Sequence, residues 1–181
     1  MTQAQANGPS PAVFLDRDGT IMRDVDFCSD PKAIELLDGV IEAMQKLKRA
    51  GFKLFVITNQ SGIGRGYFTE QEYRAVESEL NRKLGAGLVD ATYFCPDKPG
   101  TESRRRKPAP AMVLEAVRDH NLDLNRSFFI GDKAIDMDCG RNAGLRTVLV
   151  RTGYGASEKC ASDWTAEDLA GAAEIILQQQ R

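Results

Sequence analysis

A short acidic segment that follows the first apolar run of the chain carries the clearest candidate chemistry. Asp16 and Asp18 come directly after residues 12–15 and lead into Gly19 and Thr20. If the extended backbone continues through this segment, both carboxylates project to the same side of a strand. Two carboxylates held so close repel each other unless a cation lies between them. Taken alone, the segment also fits a surface turn, because Asp-Gly is common in turns.

Three other segments carry side chains that suit a phosphoryl group or a hard metal ion. Thr58 follows a β-rich run, and its hydroxyl can donate a hydrogen bond to a phosphoryl oxygen. Lys107 supplies a compact cation. Asp132 follows another apolar run, and Asp136 lies near the start of a predicted helix. Three carboxylates at strand ends, with a hydroxyl and an ammonium, predict a site for phosphate chemistry.

The elements that must position these residues follow from the alternation of short apolar runs and amphipathic stretches. The predicted strands cover residues 12–15, 53–57, 91–95, 127–130 and 146–150. Predicted helices lie between them, over about 38–51, 69–84, 110–117, a stretch through Cys139, and 165–179. This order predicts a Rossmann-like three-layer α/β/α fold with a mainly parallel central sheet.

The predicted sheet explains why distant residues would meet. In a parallel sheet, ligands bind at the carboxyl ends of the strands. Asp16, Asp18 and Asp132 are therefore expected to form one oxygen-rich site that suits Mg²⁺.

Length and composition exclude several classes of protein. The chain has 181 residues, 24 basic and 26 acidic side chains, and 42% hydrophobic residues, which is typical of one globular domain. It has no apolar run near the ~18 residues that would indicate a membrane span. The slight acidic excess disfavours a protein that binds nucleic-acid backbone. We expect a cytoplasmic monomer, with residues 1–11 as a flexible tail and residues 12–181 as one domain.

The cysteines and the single histidine predict no structural zinc site. Cys28, Cys95, Cys139 and Cys160 lie far apart, and His120 has no ligand at metal spacing. A structural zinc ion normally needs four nitrogen or sulfur ligands. Four free thiols, mostly packed as small apolar groups, are the expected state.

In this order, the polar segments resemble the motifs of the haloacid dehalogenase superfamily of phosphotransferases. Residues 16–20 (DRDGT) match its first motif, Thr58 the second, Lys107 the third, and Gly131-Asp132 with Asp136 the fourth. The resemblance covers about residues 12–150, and four ordered motifs are far more specific than any one alone.

The resemblance implies a role for each motif residue. Asp16 is the expected nucleophile that forms an aspartyl-phosphate, and Asp18 the general acid and then the base. Thr58 and Lys107 are expected to hold the phosphoryl oxygens. Mg²⁺ is expected to bind Asp16, the backbone carbonyl of Asp18, and Asp132. Asp136 is expected to orient Lys133 or an outer-shell water.

Family members carry cap domains in two gaps that are short in this chain. Residues 20–58 hold one loop and a helix-strand pair, and residues 58–107 hold one helix, one strand and a loop. Neither gap has room for a cap domain. The site should therefore be roofed by loops only.

Among capless members, the chain is similar to the phosphatases that act on a heptose bisphosphate. The similar stretches include AVFLDRDGTI, VITNQSGIGRGYFTEQEY and RRKPAPAMVLEA. The similarity implies a phosphorylated small molecule as partner, and removal of the 7-phosphate from D-glycero-D-manno-heptose 1,7-bisphosphate. Arg106 is then expected to contact the sugar or its second phosphate. The other expected substrate-binding residues are Asp24, Asp26, Phe27, Asn59, Gln60, Ser61, Arg65 and Lys133.

Two departures from that pattern keep other substrates open. Of the Cys-x-His and Cys-x-Cys ligands that usually bind zinc in this loop, only Cys95 is present. The loop must therefore be held in another way or be mobile until substrate binds. Val25-Asp26-Phe27 replaces the more usual His-Gly-Tyr and brings an extra carboxylate. The alternatives are a histidinol-phosphate phosphatase, a polynucleotide 3′-phosphatase, and a non-catalytic phosphosugar-binding protein.

Overall fold

The computed structural model describes residues 8–180. Residues 1–7 of the expected tail lie outside this range. Ser10 is already tied to the domain, because its N–H donates to the carbonyl of Asn121 and its own carbonyl accepts from Asp123. Pro11 is buried. Contacts with the domain thus begin before residue 12, the boundary predicted from the sequence.

A six-stranded sheet forms the centre of the molecule, and all of its strands are parallel in the order β3-β2-β1-β4-β5-β6. The strands are β1 (Ala12–Leu15), β2 (Lys53–Asn59), β3 (Ala91–Cys95), β4 (Phe128–Gly131), β5 (Arg146–Val150) and β6 (Trp164–Ala166). The predicted Rossmann-like class is confirmed. Parallel strands need crossover connections, and these bring the helices onto both faces of the sheet.

In the described part of the chain, six helices cover the sheet. They are α1 (Val40–Arg49), α2 (Ser61–Arg65), α3 (Glu70–Leu84), α4 (Ala111–His120), α5 (Ala134–Asn142) and α6 (Leu169–Gln178). Short 3₁₀ turns occupy Pro31–Ala33, Leu124–Arg126 and Gly153–Ala156. Within residues 8–180, no helix is long and apolar enough to cross a membrane.

The core consists of two apolar clusters, one on each face of the sheet. The side chains of β1 alternate between the two clusters. Val13 and Leu15 pack in the cluster under α1, α3 and α6, whereas Ala12 and Phe14 pack in the cluster under α4 and α5. All four side chains are fully buried. A strand covered on both faces must be apolar throughout, which explains the uninterrupted AVFL sequence.

The last helix begins later than predicted, because its first predicted residues form a strand. Trp164–Ala166 pairs with β5 as the edge strand β6. The side chain of Asp168 accepts the N–H of Gly171 and so caps α6, which begins at Leu169. Trp164 packs against Phe128, with 6.2 Å between ring centroids. The open edge of β5 thus decides the conformation of a segment whose local sequence is compatible with a helix.

The carboxyl end of β2 also differs from the prediction. The strand continues past its predicted end at residue 57, through Thr58 to Asn59, and the short helix α2 follows at Ser61. A capping box formed by Thr69 and Glu72 starts α3. Thr58 is therefore held by the sheet itself rather than by a loop.

Candidate active site

The carboxyl ends of β1, β2 and β4 bring the motif residues together. Asp16 follows β1 and extends its ladder, because its N–H donates to the carbonyl of Ile130 at 2.9 Å. Thr58 lies within β2, and Asp132 directly follows β4. All three residues are buried. The loop before α4 adds Lys107 to the same edge of the sheet.

Lys107 is the centre of the site. Its Nζ lies 2.7 Å from Oδ1 of Asp16 and 2.6 Å from Oδ1 of Asp136, and it donates to the carbonyl of Ile57 at 2.9 Å. Only 1% of its side chain is exposed. Burial lowers the pKa of Lys107, but the carboxylates of Asp136 and Asp16 raise it by more, so the ammonium form persists.

The backbone of Lys107 is positioned by Asn59. The Asn59 side chain donates to the carbonyl of Lys107 at 3.2 Å and accepts its N–H at 3.0 Å. The amide NH₂ and the amide oxygen of Asn59 are therefore both hydrogen-bonded to the backbone of Lys107. Asn59, expected from the sequence to bind substrate, thus holds the lysine loop in place, although it also lines the cavity beside it.

Asp136 contacts Lys133, as expected, but through the backbone of that residue, and it also contacts Lys107. Its Oδ2 accepts the backbone N–H of Lys133 at 3.1 Å, which anchors the start of α5, and its Oδ1 pairs with Lys107. The Lys133 side chain instead pairs with Asp24 at 3.0 Å. The aspartate therefore orients the catalytic-site lysine of the third motif rather than the ammonium of Lys133.

A divalent cation fits the carboxylate cluster. Ligand oxygens of Asp16, Asp132 and Asp136 lie within 4.8 Å of one another, and all three residues are buried. The three carboxylates carry three negative charges and Lys107 carries one positive charge, so a net charge of −2 remains. One divalent cation would neutralise it. Within residues 8–180, Oδ1 of Asp132 is buried and has no hydrogen-bond partner. Both oxygens of Asp136 have partners, Lys107 and the N–H of Lys133. Asp16 and Asp132 each keep an oxygen without a hydrogen bond within residues 8–180, so these two side chains would hold the ion.

The second oxygen of Asp132 is held by a glycine-lined turn. Oδ2 accepts the N–H of Tyr154 at 2.8 Å. A Cβ on Gly19 would lie 2.2 Å from this oxygen, and one on Gly153 would lie 2.3 Å away. Both glycines also adopt positive φ angles. Only residues without a side chain permit this close approach.

Burial, and after it the charge of Asp16, raises the pKa of Asp132 to about 7.

Asp18 is not part of the carboxylate cluster. Its carboxylate is paired with Arg17, whose Nε and Nη2 lie 3.0 and 3.1 Å from its two oxygens. The sequence predicted that Asp16 and Asp18 share one side of an extended strand. The backbone turns instead, and the carbonyl of Arg17 accepts the N–H groups of Ile21 and Met22. The metal contact expected from the backbone carbonyl of Asp18 stays a prediction.

Two adjoining cavities open beside this cluster. The inner cavity, about 160 Å³, is lined by residues that include Asp18, Asp24, Asp26, Phe27, Asn59, Gln60, Ser61 and Lys133. The outer cavity, about 430 Å³, is lined by Gly19, Arg23, Asp24, Asp26, Leu37, Gly153 and Tyr154. Most of the expected substrate-binding residues thus line these two cavities. Asp24, Asp26 and Tyr154 line both cavities.

Two expected arginines lie outside the lining of these cavities. The Arg65 guanidinium carbon lies 5.9 Å from the ring centroid of Phe27, and Arg106 donates to the carbonyl of Asp97 at 2.8 Å. Burial lowers the pKa of Arg106, and the charge of Arg65 lowers it further. Arg65 thus lies beside Phe27 of the inner-cavity wall, whereas Arg106 is held by the backbone of Asp97.

Sequence reasoning missed Tyr154 and Arg17. The Tyr154 ring lies 4.4 Å from Nζ of Lys133, and its N–H contacts Asp132. Its position just after the predicted strand 146–150 was the available signal, because residues at the carboxyl end of a strand face the site.

Hydrogen bonds and an ion pair hold the loop that lacks the zinc ligands. Oγ of Ser103 accepts the N–H groups of Arg105 and Arg106 and lies 3.6 Å from Sγ of Cys95. Arg105 donates to the carbonyl of Phe94 and pairs with Glu115 on α4. These contacts hold the loop in place without the missing zinc ligands.

All four cysteines are free thiols, and only Cys160 is partly exposed.

The fold and the ordered motifs at its strand ends define a HAD-like hydrolase. The family model for HAD-hydrolase-like proteins matches residues 104–172. A heptose-1,7-bisphosphate 7-phosphatase of Thermosynechococcus vestitus is 40% identical over 188 aligned residues, covering 93% of this chain and 96% of the relative. The corresponding enzyme of Escherichia coli K12 is 41% identical, covering 94% and 96%.

A solved structure gives the same result. The D,D-heptose 1,7-bisphosphate phosphatase of B. bronchiseptica, crystallised with magnesium and phosphate, superposes with a TM-score of 0.85 at 33% identity. The match covers 93% of this chain and 99% of that chain. The chain belongs to the HAD-like hydrolases and, among them, to the family of these heptose-bisphosphate phosphatases. It is a HAD-type phosphatase.

Replacing Lys107 by methionine should destabilise the fold strongly. The change leaves the buried carboxylates of Asp16 and Asp136 without their cation, at a cost of about 3–5 kcal/mol. Urea unfolding with EDTA at pH 8 measures the loss. Lys46→Met is the matched control, because the pair between Lys46 and Glu174 is exposed and contributes less than about 1 kcal/mol. Similar losses in both variants would contradict the central role of Lys107.

Magnesium should stabilise the protein more at pH 8 than at pH 5.5. Metal binding requires the ionised carboxylate, and Asp132, with a pKa raised to about 7, is mostly protonated at the lower pH. The increase in Tm on adding Mg²⁺ measures the effect. Asp132→Asn should lose most of the increase at both pH values. An increase in the wild type that is equal at pH 5.5 and pH 8 would contradict this assignment.

The loop over residues 96–106 should depend on Arg105 and not on a metal. Arg105→Met removes the contacts to Phe94 and Glu115, so amide hydrogen exchange in the loop should become ~10-fold faster. EDTA should leave the wild-type loop unchanged. Arg104→Met, at the exposed neighbouring position, is the control. Loop exchange that EDTA accelerates in the wild type would indicate a structural metal instead.

Proposed function

We propose that this protein removes the 7-phosphate of D-glycero-D-manno-heptose 1,7-bisphosphate through an aspartyl-phosphate on Asp16. The observation that carries the proposal is the contact of Asp16 with the buried ammonium of Lys107, at 2.7 Å. Asp132, whose buried Oδ1 has no hydrogen-bond partner within residues 8–180, belongs to the same cluster. Relatives about 40% identical over nearly their whole length carry the name of this activity.

Asp16 acts as the nucleophile in the first step. Lys107 contacts its Oδ1, and within residues 8–180 no hydrogen bond occupies its Oδ2. Oδ2 attacks the phosphorus atom in line with the bond to the sugar oxygen, and that bond breaks as the new one forms. Asp18, which takes up a proton from solvent as the anionic substrate binds, gives it to the leaving oxygen. The first products are the sugar monophosphate and the aspartyl-phosphate.

Water completes the reaction in the second step. Asp18, now ionised, accepts a proton from the water that attacks the phosphorus atom. The bond between phosphorus and Oδ2 of Asp16 breaks, which releases inorganic phosphate and restores the carboxylate. One group thus serves as acid and then as base, as expected for two half-reactions that are close to the reverse of each other.

Lys107 and the Thr58 hydroxyl bind the phosphoryl oxygens in both steps. The transferred group gathers charge on these oxygens, so fixed donors at that position lower the barrier. Asp16, Asp132 and the backbone carbonyl of Asp18 would hold Mg²⁺, which would supply further charge neutralisation at the phosphoryl group. No structural zinc is part of the proposal.

The second phosphate and the sugar occupy the two cavities and their rim. Lys133 lines the inner cavity, and the Arg65 guanidinium lies beside Phe27, which also lines it. These two cations, with Arg106 next to Lys107 in the chain, suit the end of the substrate that keeps its phosphate. Asp24 and Asp26 suit sugar hydroxyls, because ionised carboxylates accept hydrogen bonds only. Ser61 and Gln60 line the floor between the two ends.

Histidinol phosphate is the second candidate substrate. Asp26 is exposed, lines both cavities, and makes no ion pair within residues 8–180, whereas the charge of Asp24 is met by Lys133. A substrate that carries an ammonium group could use this free carboxylate. A preference for histidinol phosphate would make Asp26 a specificity-determining residue.

Several expectations from the sequence stay predictions. They are the monomeric state, the cytoplasmic location, the absence of a nucleic-acid partner, and the organisation of residues 12–181 as one domain behind a tail.

The substrate assignment is tested by kcat/KM on heptose 1,7-bisphosphate, histidinol phosphate and a 3′-phosphorylated oligonucleotide, with Mg²⁺ and with EDTA. We expect the bisphosphate to be preferred about 100-fold, or about 2.7 kcal/mol of differential transition-state binding, and EDTA to abolish turnover. Asp16→Asn should be inactive, whereas Asp38→Asn, at an exposed position, should keep wild-type activity.

The other outcomes separate the alternatives. A preference for histidinol phosphate or for the oligonucleotide would replace the substrate and keep the chemistry. Weak and equal activity on all three would overturn the heptose assignment. No Mg²⁺-dependent turnover of these or of 4-nitrophenyl phosphate would favour the non-catalytic phosphosugar-binding protein.

A further inference from the structure

Arg17, between the two aspartates of the first motif, has no role in the reaction as proposed above. Its side chain is only 3% exposed, and its guanidinium contacts both oxygens of the Asp18 carboxylate. The side chain of Asp18 is 16% exposed, lines the inner cavity, and therefore keeps one side open to substrate. A two-point contact of this kind determines the orientation of a carboxylate as well as its position.

Gln60 connects this pair to Thr58. Its Oε1 accepts from Nη2 of Arg17 at 3.1 Å. Its Nε2 donates to Oδ2 of Asp18 at 3.2 Å and to Oγ1 of Thr58 at 2.8 Å. Arginine only donates and an ionised aspartate only accepts, so the amide of Gln60 has one favourable orientation. The reversed amide would set oxygen against carboxylate and N–H against guanidinium.

This orientation has a consequence for the Thr58 hydroxyl. Because Oγ1 of Thr58 accepts the hydrogen bond from Gln60, its own proton remains available to another acceptor. Thr58 is buried at the end of β2, next to Ile57, whose carbonyl receives a hydrogen bond from Lys107. A phosphoryl oxygen bound beside Lys107 is the acceptor that this position offers.

Neighbouring elements hold Arg17 in place. The guanidinium carbon lies 5.8 Å from the ring centroid of Tyr73, a buried residue of α3. On the other side, the carbonyl of Arg17 accepts the N–H groups of Ile21 and Met22 at 2.9 and 3.1 Å. Both the side chain and the backbone of Arg17 are therefore fixed before any substrate binds, which is the condition for a preorganised site.

We propose that Arg17 and Gln60 are positioning residues that hold the Asp18 carboxylate in one orientation for proton transfer and leave the Thr58 proton free for the phosphoryl group. The inference rests on the proposed function, in which Asp18 protonates the leaving oxygen. In this proposal Arg17 and Gln60 act on the reaction through Asp18 and Thr58.

The leaving group of the substrate separates this role from a structural one. A sugar alkoxide is a poor leaving group and needs a proton as the bond to phosphorus breaks, whereas 4-nitrophenolate leaves without one. In the first step, a misoriented Asp18 should therefore slow cleavage of the sugar ester far more than that of the aryl ester. The second step, hydrolysis of the aspartyl-phosphate, is the same for both esters. Loss of folded protein would lower both activities by the same factor.

The experiment compares KM and the single-turnover rate constant for release of the leaving group, which reports the first step alone, on heptose 1,7-bisphosphate and 4-nitrophenyl phosphate, with Mg²⁺, for Arg17→Met and Gln60→Met. We expect Arg17→Met to lower this rate constant ~100-fold on the sugar ester and ~10-fold or less on the aryl ester, because positioned proton transfer contributes ~10²–10⁴-fold. The KM for the sugar ester should change little. Arg17→Lys should not restore the rate, since lysine cannot make the two-point contact.

Gln60→Met should lower the single-turnover rate constant on both esters, because the orientation of Thr58 serves both, with the larger loss on the sugar ester. It also keeps the proposal testable if Arg17→Met does not fold, which Tm measurements on each variant will reveal. Arg74→Met is the matched control. Arg74 also lies over the Tyr73 ring, at 5.6 Å, but it is exposed and pairs with Glu70 and Glu77, so both activities should stay at wild-type levels.

Asp18→Asn calibrates the comparison. If Asp18→Asn discriminates between the two esters and the Arg17 and Gln60 variants lose equally on both, the positioning proposal is overturned and the proposed function stands. If Asp18→Asn loses equally on both esters, the proton-transfer role of Asp18 is overturned together with the proposal. Selective loss on the sugar ester in all three variants supports it.

Discussion

The contact between the Lys107 ammonium and two buried carboxylates is the interaction on which the rest of the site depends. Asp16 and Asp136 reach Lys107 from the ends of β1 and α5, and without a cation their charges could not remain buried together. The same contact leaves Asp132 as the carboxylate with an unused buried oxygen. The ammonium thus determines which oxygen atoms remain for a divalent cation and which one is free to attack phosphorus.

The scaffold that makes this contact possible is the parallel sheet. Three strand ends deliver their polar residues to one edge because every strand runs in the same direction. Lys107 is the exception, since it comes from a loop, and the structure supports that loop from two sides. Asn59 holds its backbone, while Ser103 and Arg105 hold the preceding residues. These contacts do for the loop what a metal site does in proteins that carry four suitable ligands.

Most of the fold and the catalytic residue types could be predicted from the sequence, and the errors have a common physical cause. The segment from Trp164 to Ala166 became a strand because β5 offered an open edge, which local sequence does not report. Asp18 turned toward Arg17 because a tight turn begins at that arginine, although the alternation of a strand predicted otherwise. Asn59 lines the inner cavity, as expected of a substrate-binding residue, but its two hydrogen bonds to the backbone of Lys107 were not predicted. Each error concerns a partner that is distant in the chain or a change in backbone direction.

By itself, the sequence determined the fold class, the strands that end in acidic or hydroxyl groups, and the family. These follow from hydrophobic patterning and from the spacing of a few residue types, which are local properties of a chain. Only the tertiary structure decided which donor meets which acceptor: Asp136 with Lys107 rather than with the Lys133 side chain, and Gln60 between Arg17 and Thr58. Such pairings depend on distances of about 3 Å between groups far apart in sequence, and buried polar groups accept only the partners that the packing brings within that range.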